Sequence, residues 1–306
     1  MIAPAASVII PSYRSQRTVA ATMQSLRGQT CKDFETIVID SSDQDDVAQI
    51  MAGFPEVRYY RSSSRLLPHE ARNLGVEKAK SEILIFTDPD IVAAPDWLEN
   101  LLKKHSETRG PVVGAIDSLQ RSWLETGIHI AKFDLWLPGG GDRNVPVGPT
   151  ANFLCPRPLL VQAGGFEGQE MIGDTLLSWE LLRRGRLLQF APDAVVHHDH
   201  RSTFSEFLRE RFVRGADFAR LRMRSFAWQP ARIFLTLLVS IVPLRLAKLT
   251  ARSFICGARA RCPGACLRAS PVIISGHAAW LAGEIFQYVR HLSGATANER
   301  NTVCAL

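Results

Sequence analysis

The feature that most constrains this chain is a set of short, apolar, β-branched runs that each end on polar or acidic residues. Ser7-Val8-Ile9-Ile10-Pro11 leads into Ser12-Tyr13. Residues 34–39 lead into Asp40-Ser41-Ser42-Asp43, and Ile83-Leu84-Ile85-Phe86 leads into Thr87-Asp88-Pro89-Asp90. Runs this short, with little polar alternation, read as strands buried on both faces. Segments of helical composition separate them. Residues 17–26 place Val19, Met23 and Leu26 on one face, with Gly28 as the stop, and 69–80 and 95–104 follow, the last opened by Pro95. Residues 57–60 and 112–115 are further candidate strands. Such alternation predicts an α/β fold, a mostly parallel sheet with helices on both faces. Ligands of such sheets sit beyond the carboxyl ends of the strands. Those ends carry Pro11-Ser12-Tyr13, Asp40 and Asp88-Pro89-Asp90 here. No glycine-rich loop follows the first strand, so neither a dinucleotide-binding fingerprint nor a P-loop is present.

Downstream the pattern loosens. Residues 117–150 read as irregular, with Pro138-Gly139-Gly140-Gly141-Asp142 as a loop signal. Strands are expected at 150–155, 187–190 and 194–196, and a helix at 174–184 with Asp174 as its N-cap. The cluster His197-His198-Asp199-His200 follows. Of 306 residues 46% are apolar and 22% charged, which excludes wholesale disorder and a disulfide-stapled miniprotein. The net charge of +6 is uneven: 201–270 carries fourteen Lys/Arg and three Asp/Glu, a local +11, leaving −5 for the remainder. The N-terminal residues show no basic segment followed by an apolar one, so no cleaved signal peptide is expected. The six cysteines, at 31, 155, 256, 262, 266 and 304, then read as reduced thiols, and their spacing lacks the paired C-x-x-C of a zinc site.

Beyond residue 201 the texture is helical and basic. The uncharged runs 233–244 and 271–283 are each shorter than the roughly 20 residues that span a bilayer. Together with the basic charge they suggest an interfacial or re-entrant helical hairpin on an anionic membrane surface, at the cytoplasmic face. A helical extension packed on the α/β domain or on a second subunit remains the alternative. Nucleic acid is not an expected partner, because the aromatic and basic residues here follow an amphipathic pattern and not a stacking platform.

Three features carry chemistry. Asp88 and Asp90, two apart after a buried strand, can share a divalent cation, although Asp-Pro-Asp is also ordinary turn chemistry. The histidine cluster could supply a ligand to that cation or be an exposed loop. Asp174 at a helix start is either a cap or a general base.

In their order these blocks resemble family 2 glycosyltransferases. Val8-Ile9-Ile10-Pro11-Ser12-Tyr13, Ser25-Leu26-Arg27-Gly28-Gln29-Thr30, Val38-Ile39-Asp40-Ser41-Ser42, Glu70-Ala71-Arg72-Asn73-Leu74-Gly75 and Ile85-Phe86-Thr87-Asp88-Pro89-Asp90 are similar to that family's successive motifs. Gly164-Gly165-Phe166, Asp174-Thr175-Leu176-Leu177-Ser178-Trp179 and Val195-Val196-His197-His198 continue the pattern, so that the resemblance covers about residues 6–220. It implies a GT-A fold over 1–205, with a nucleotide-binding half to about 116 and an acceptor half over 117–205; the basic and apolar texture beyond it is what marks 206–306 as a helical membrane-associated region. The resemblance implies an inverting hexosyltransferase-type enzyme, moving a sugar from a nucleotide-diphospho-sugar to a hydroxyl of a glycan or lipid-linked acceptor. Pro11, Ser12, Tyr13, Asp40, Arg72 and Asp88 would contact the donor; Asp88, Asp90 and His198 would hold Mn²⁺ or Mg²⁺; Asp174 would be the base. There are departures: Arg14 stands where the family prefers Asn, Ser41 where many members carry a second acid or Asn, Gly173 for the commoner Glu, and Leu176 for a frequent acid. Transfer to polyprenyl phosphate, a nucleotidyltransferase and a non-catalytic membrane-bound binding module are the competing readings.

Overall fold

The computed structural model describes residues 3–119, 122–167, 173–200 and 202–294. They divide into two compact units, one of 3–119, 135–167 and 173–199, the other of 122–134, 200 and 202–294.

The first unit opens with β1 (Ala6–Ser12), α1 (Val19–Arg27), β2 (Phe34–Asp40), α2 (Asp46–Met51), β3 (Arg58–Arg61), α3 (Pro68–Lys78) and β4 (Ile83–Thr87). β5 (Ile91–Ala93), α4 (Trp97–Thr108) and β6 (Val112–Ser118) follow. After α5 (Trp123–Phe133), which belongs to the second unit, it resumes with β7 (Arg143–Val145), β8 (Asn152–Pro156), α6 (Arg157–Gln162), α7 (Gly173–Arg183) and β9 (Leu188–His198). Among the described residues these strands form one sheet in the order β3-β2-β1-β4-β8-β6-β9-β5, with β7 beside β9. β3, β2, β1 and β4 are parallel, β8 enters antiparallel to β4 and β6, and β6 and β9 are parallel again. The expected α/β class is borne out. Every residue of β1 is buried, as a central strand covered on both faces requires.

The stretch 117–150 is not wholly irregular. It contains α5, and the missed signal is Ser122 three residues before Glu125. The Ser122 Oγ accepts the Glu125 N–H at 3.2 Å and donates to the Glu125 carboxylate at 2.6 Å, so the pair caps the first turn.

Where β6 meets β9 the pairing slips. Gly114 faces Ala191 but Ala115 faces Val195, so Pro192, Asp193 and Ala194 bulge out. Asn152 fills the gap. Its amide donates to the Ala115 and Ala194 carbonyls at 2.8 and 2.9 Å, and its carbonyl accepts the Trp97 Nε1–H at 2.8 Å. Residue 114 must be glycine here, because a Cβ would fall 2.2 Å from the Asn152 amide nitrogen.

The second unit contains α5 with α8 (Phe204–Ser225), α9 (Pro230–Ile241), α10 (Leu244–Arg259), α11 (Pro263–Arg268) and α12 (Ser270–Leu292). Helices α8 and α12 cross in close contact through glycines. A Cβ at Gly215 would lie 2.1 Å from the Trp280 carbonyl oxygen, and one at Gly283 would lie 2.0 Å from that of Phe212. The 271–283 run, expected at a lipid headgroup boundary, is instead protein core: Val272, Ile273, His277 and Leu281 are buried. Ile128, Ala131, Phe207 and Val272 interlock α5, α8 and α12. Two buried carboxylates of the second unit are paired with arginines. Glu284 receives Arg222 and Arg245 at 3.0 and 2.9 Å, and Asp134 receives Arg252 at 2.9 Å. Cys31, Cys155, Cys256, Cys262 and Cys266 are not joined in disulfides, and Cys304 lies outside the described residues.

Asn152→Ala leaves two carbonyls and an indole N–H without partners, at about 1–3 kcal/mol each. Urea unfolding should therefore show a loss of at least ~3 kcal/mol. His277, with no exposed surface, lies 2.8 Å by its Nε2 from Ser253 Oγ, which donates to Asp134 at 2.7 Å; burial, with Arg211 and Arg252 nearby, lowers its pKa to about 3. The folded imidazole is then neutral while the unfolded one protonates below about 6.5, so its contribution is full above that pH and lost as pH falls. Stability measured from pH 7 to 4 should fall by up to ~1.4 kcal/mol per unit through this group, a component absent from His277→Gln.

Candidate active site

The carboxyl ends of β1, β2 and β4 converge on one edge of the sheet. β1 and β2 run in register to their last residues, Ser12 opposite Asp40. Asp40 is fully buried, and its carboxylate is saturated by the protein. One oxygen accepts from the Ser12 hydroxyl at 3.0 Å and from the Ser42 hydroxyl and N–H at 2.7 and 3.2 Å; the other accepts from the Tyr59 hydroxyl at 2.7 Å. Burial and the charge of Asp40 hold the Tyr59 phenol well above its usual range. Asp40 thus fixes the turn that a ligand would meet. Pro11 and Ser12 are buried within β1, while Tyr13 is half-buried and carries two guanidinium groups near its ring, Arg65 at 4.6 Å and Arg14 at 5.3 Å from the centroid.

Arg14 adopts φ +50°, the left-handed region that Asn enters more readily than most residues. Arg14 is held by its N–H donating to Ser42 Oγ at 2.8 Å and its guanidinium pairing with Asp43 at 2.5 Å. Beside it lies a cavity of about 250 Å³ lined by Arg14, Gln16, Ser42, Gln44, Asp46 and Val47.

The Asp88-Pro89-Asp90 turn is braced from α1, where the Thr22 hydroxyl lies 2.9 and 2.7 Å from the Pro89 and Ile91 carbonyls. The structure brings Asp88 to Arg72, Oδ1 to Nη2 at 2.6 Å. The Nε of Arg72 is buried without a hydrogen-bond partner among the described residues, leaving directed positive charge beside the turn. Asp90 meets His198 instead, Oδ2 to Nε2 at 3.6 Å, because β5 pairs antiparallel with β9 and sets Ile91 opposite His198. The other two histidines of the cluster face different partners. His197 Nδ1 is 3.8 Å from Asp117, and His200, in the second unit, is 2.8 Å from His129 Nδ1.

No group of three His, Cys, Asp or Glu side chains among the described residues converges as a metal cage. The donor set fits a cation shared with a substrate. Mg²⁺-type ions take one or two carboxylates and complete their shell with phosphate oxygens and water. The spacing of Asp90 and His198 is near the ~3 Å between adjacent ligands at bond lengths of ~2.1 Å.

Asp174 is the second residue of α7 and not the N-cap expected of it, because the helix already starts at Gly173; its Oδ1 accepts the Thr175 N–H at 2.7 Å. Two contacts join this region to α3. A Cβ at Gly173 would lie 3.7 Å from that of His69, and Asn73 clamps Phe166 from both sides of its backbone, donating to the carbonyl at 2.8 Å and accepting the N–H at 3.1 Å. Phe166 also packs edge-on against Phe86 of β4, centroids 4.8 Å apart. Asn73 and Thr22 were not singled out from the sequence. Asn73 stands directly after Arg72 on α3, and that adjacency was the available signal.

Comparison with known proteins agrees with this architecture. The family model "Glycosyl transferase family 2" matches residues 7–163. The chain is 25% identical over 234 residues to a pre-mycofactocin glycosyltransferase of Mycobacterium tuberculosis, covering 71% of this chain and 47% of that protein. It is 25% identical over 224 residues to glycosyltransferase AglE of Haloferax volcanii, covering 69% and 72%. The chain therefore spans about half the length of the first of these relatives. Among solved structures, a mannosyltransferase, PcManGT, from Pyrobaculum calidifontis in complex with GDP-Man and Mn²⁺ superposes with a TM-score of 0.59 at 17% identity, covering 100% of this chain and 79% of that one.

Asn73→Ala should speed hydrogen exchange at the Phe166 amide by roughly ten- to a hundredfold, the equivalent of ~1–3 kcal/mol for one lost buried bond. Exchange within α1 should not change, which mass spectrometry or NMR would check.

Proposed function

The chain belongs to glycosyl transferase family 2, and on that footing we propose that it transfers a sugar from a nucleotide-diphospho-sugar to an acceptor hydroxyl with inversion at the anomeric carbon. The observation that carries this reading is the pairing at one sheet edge of Arg72 with Asp88 and of Asp90 with His198. Together they offer positive charge, carboxylate oxygens and an imidazole at a single turn.

Tyr13 offers a ring face for a base, in a turn held by Asp40, Ser12 and Ser42. Arg72 sets a charge-assisted donor toward the diphosphate through its unsatisfied Nε. Asp90 and His198, with Asp88 beside them, would hold Mn²⁺ or Mg²⁺. Such an ion, when bound, neutralises charge developing on the leaving diphosphate. Asp174 takes the proton of the attacking acceptor hydroxyl. The hydroxyl oxygen forms the new bond to the anomeric carbon while the bond to the diphosphate breaks, and the nucleoside diphosphate leaves with that electron pair. Placing acceptor and base in one site compensates for the modest basicity of a carboxylate. The acceptor class proposed is a glycan or a lipid-linked glycan.

A panel of nucleotide sugars with Mn²⁺ or Mg²⁺ tests this. Asp174→Asn should bind donor as the native protein does and lose turnover by ~10²-fold or more. Asp90→Ala should lose the metal-stimulated activity. Collapse of donor affinity in Asp174→Asn would make that residue structural, whereas retained turnover would indicate an acceptor that is already an anion, such as polyprenyl phosphate. Full activity of Asp90→Ala in chelator would remove the metal role, and release of pyrophosphate would mark a nucleotidyltransferase.

A further inference from the structure

We propose that the outer faces of α9 and α10 form a docking surface for an anionic lipid bilayer, lying on it and not crossing it. Helix α9 is apolar nearly all round, a composition expected of a helix buried in a core or in lipid. Its inner stripe, Ile233, Leu237 and Ser240, is buried, and Ile233 and Leu237 pack with Ala219, Met223 and Tyr288. Its outer face is uncovered. Phe234, Leu235, Leu238, Val239 and Ile241 are between 46% and 63% exposed, and Leu244 beyond the bend is 71% exposed. Isolated exposed apolar residues need no explanation, but a contiguous helical face of them marks an interaction surface.

The bend and the lengths decide how this face meets a membrane. Among the described residues no single helix is long and apolar enough to cross one; α9 and α10 reach that length and hydropathy only as a pair, and they turn by 69° at their junction. The twelve residues of α9 reach ~18 Å, short of a ~30 Å hydrocarbon core. An in-plane helix sunk to the headgroup boundary fits that length.

Charge identifies the lipid. Between Phe218 and Gly283 the chain has ten Lys/Arg and no Asp/Glu. Buried Glu284 and Asp134 take up Arg222, Arg245 and Arg252. Arg224, Arg232, Lys248, Arg259, Arg261 and Arg268 are exposed. The exposed stripe of α10 runs Leu244, Lys248, Ala251, Ile255, Arg259, apolar and cationic residues on one face at helical spacing. Bilayers with anionic headgroups meet both halves of this pattern. A second copy of the chain meets only one, because a two-fold contact would set the cationic stripe against itself.

Flotation of the full chain with phosphatidylcholine vesicles, and with equal parts phosphatidylcholine and phosphatidylglycerol, tests the assignment. The chain should float with the anionic vesicles and less so as salt rises. Leu235→Glu with Val239→Glu, both at exposed positions, should weaken partition by about tenfold or more while leaving the thermal unfolding midpoint in place. Lys248→Glu with Arg259→Glu should abolish the preference for anionic over zwitterionic vesicles. Equal flotation of native and Leu235→Glu/Val239→Glu protein would overturn the proposal. So would a native chain that stays soluble with both vesicles, or one that forms a dimer which the same pair of substitutions dissociates without any vesicle binding.

Discussion

One buried amide holds the middle of the sheet together. Asn152 sits where β8 runs antiparallel between two parallel sets, and where β6 and β9 lose register by three residues. The bulge frees backbone groups that no ladder bond can satisfy. Asn152 donates to two of those carbonyls and accepts the Trp97 indole, so β6, β8, β9 and α4 close around one side chain. An apolar residue of the same size would leave all three groups unpaired at a fully buried position. The cost of that arrangement is a glycine at 114. Its consequence is functional. The second half of β9, re-aimed past the bulge, pairs with β5 and delivers His198 to Asp90.

Helix α3 is the second organising element. Its capping contact, Glu70 accepting the Leu67 N–H at 2.7 Å, starts the helix at the strand ends. From there Arg72 reaches the Asp88 turn and Asn73 reaches Phe166, one residue apart on the same helix. A proposed donor-phosphate contact and the segment leading toward Asp174 are therefore referenced to the same backbone. The left-handed Arg14 plays a comparable role at β1, where strain in one residue is offset by bonds to Ser42 and Asp43.

In the second unit, two uncharged runs meet opposite outcomes. The runs 233–244 and 271–283 are both uncharged, but the first is richer in large apolar residues and the second in small ones. The second contains Gly276 and Gly283, which admit α8 to close contact, and it becomes core. The first has no glycine and presents only every third or fourth residue to its neighbours, leaving the remainder bare. Composition reports how apolar a segment is. Whether protein covers it depends on which side chains let another helix approach.

What the sequence alone determined is what local pattern can encode. Short β-branched runs ending on Tyr13, Asp40 and Asp88 specified buried strands with polar carboxyl ends, and motif order specified the family, because both depend on neighbours along the chain. Helix α5 was also encoded, in Ser122 and Glu125, and was legible to anyone weighing a cap above the weak periodicity around it. Only the tertiary structure decided which carboxylate met which partner. Asp88 went to Arg72 and Asp90 to His198, while three adjacent histidines separated to Asp90, Asp117 and His129. Asp40 turned out to be saturated by Ser12, Ser42 and Tyr59. These pairings depend on strand register and on a bulge set by residues tens of positions away, and no local spacing carries that information.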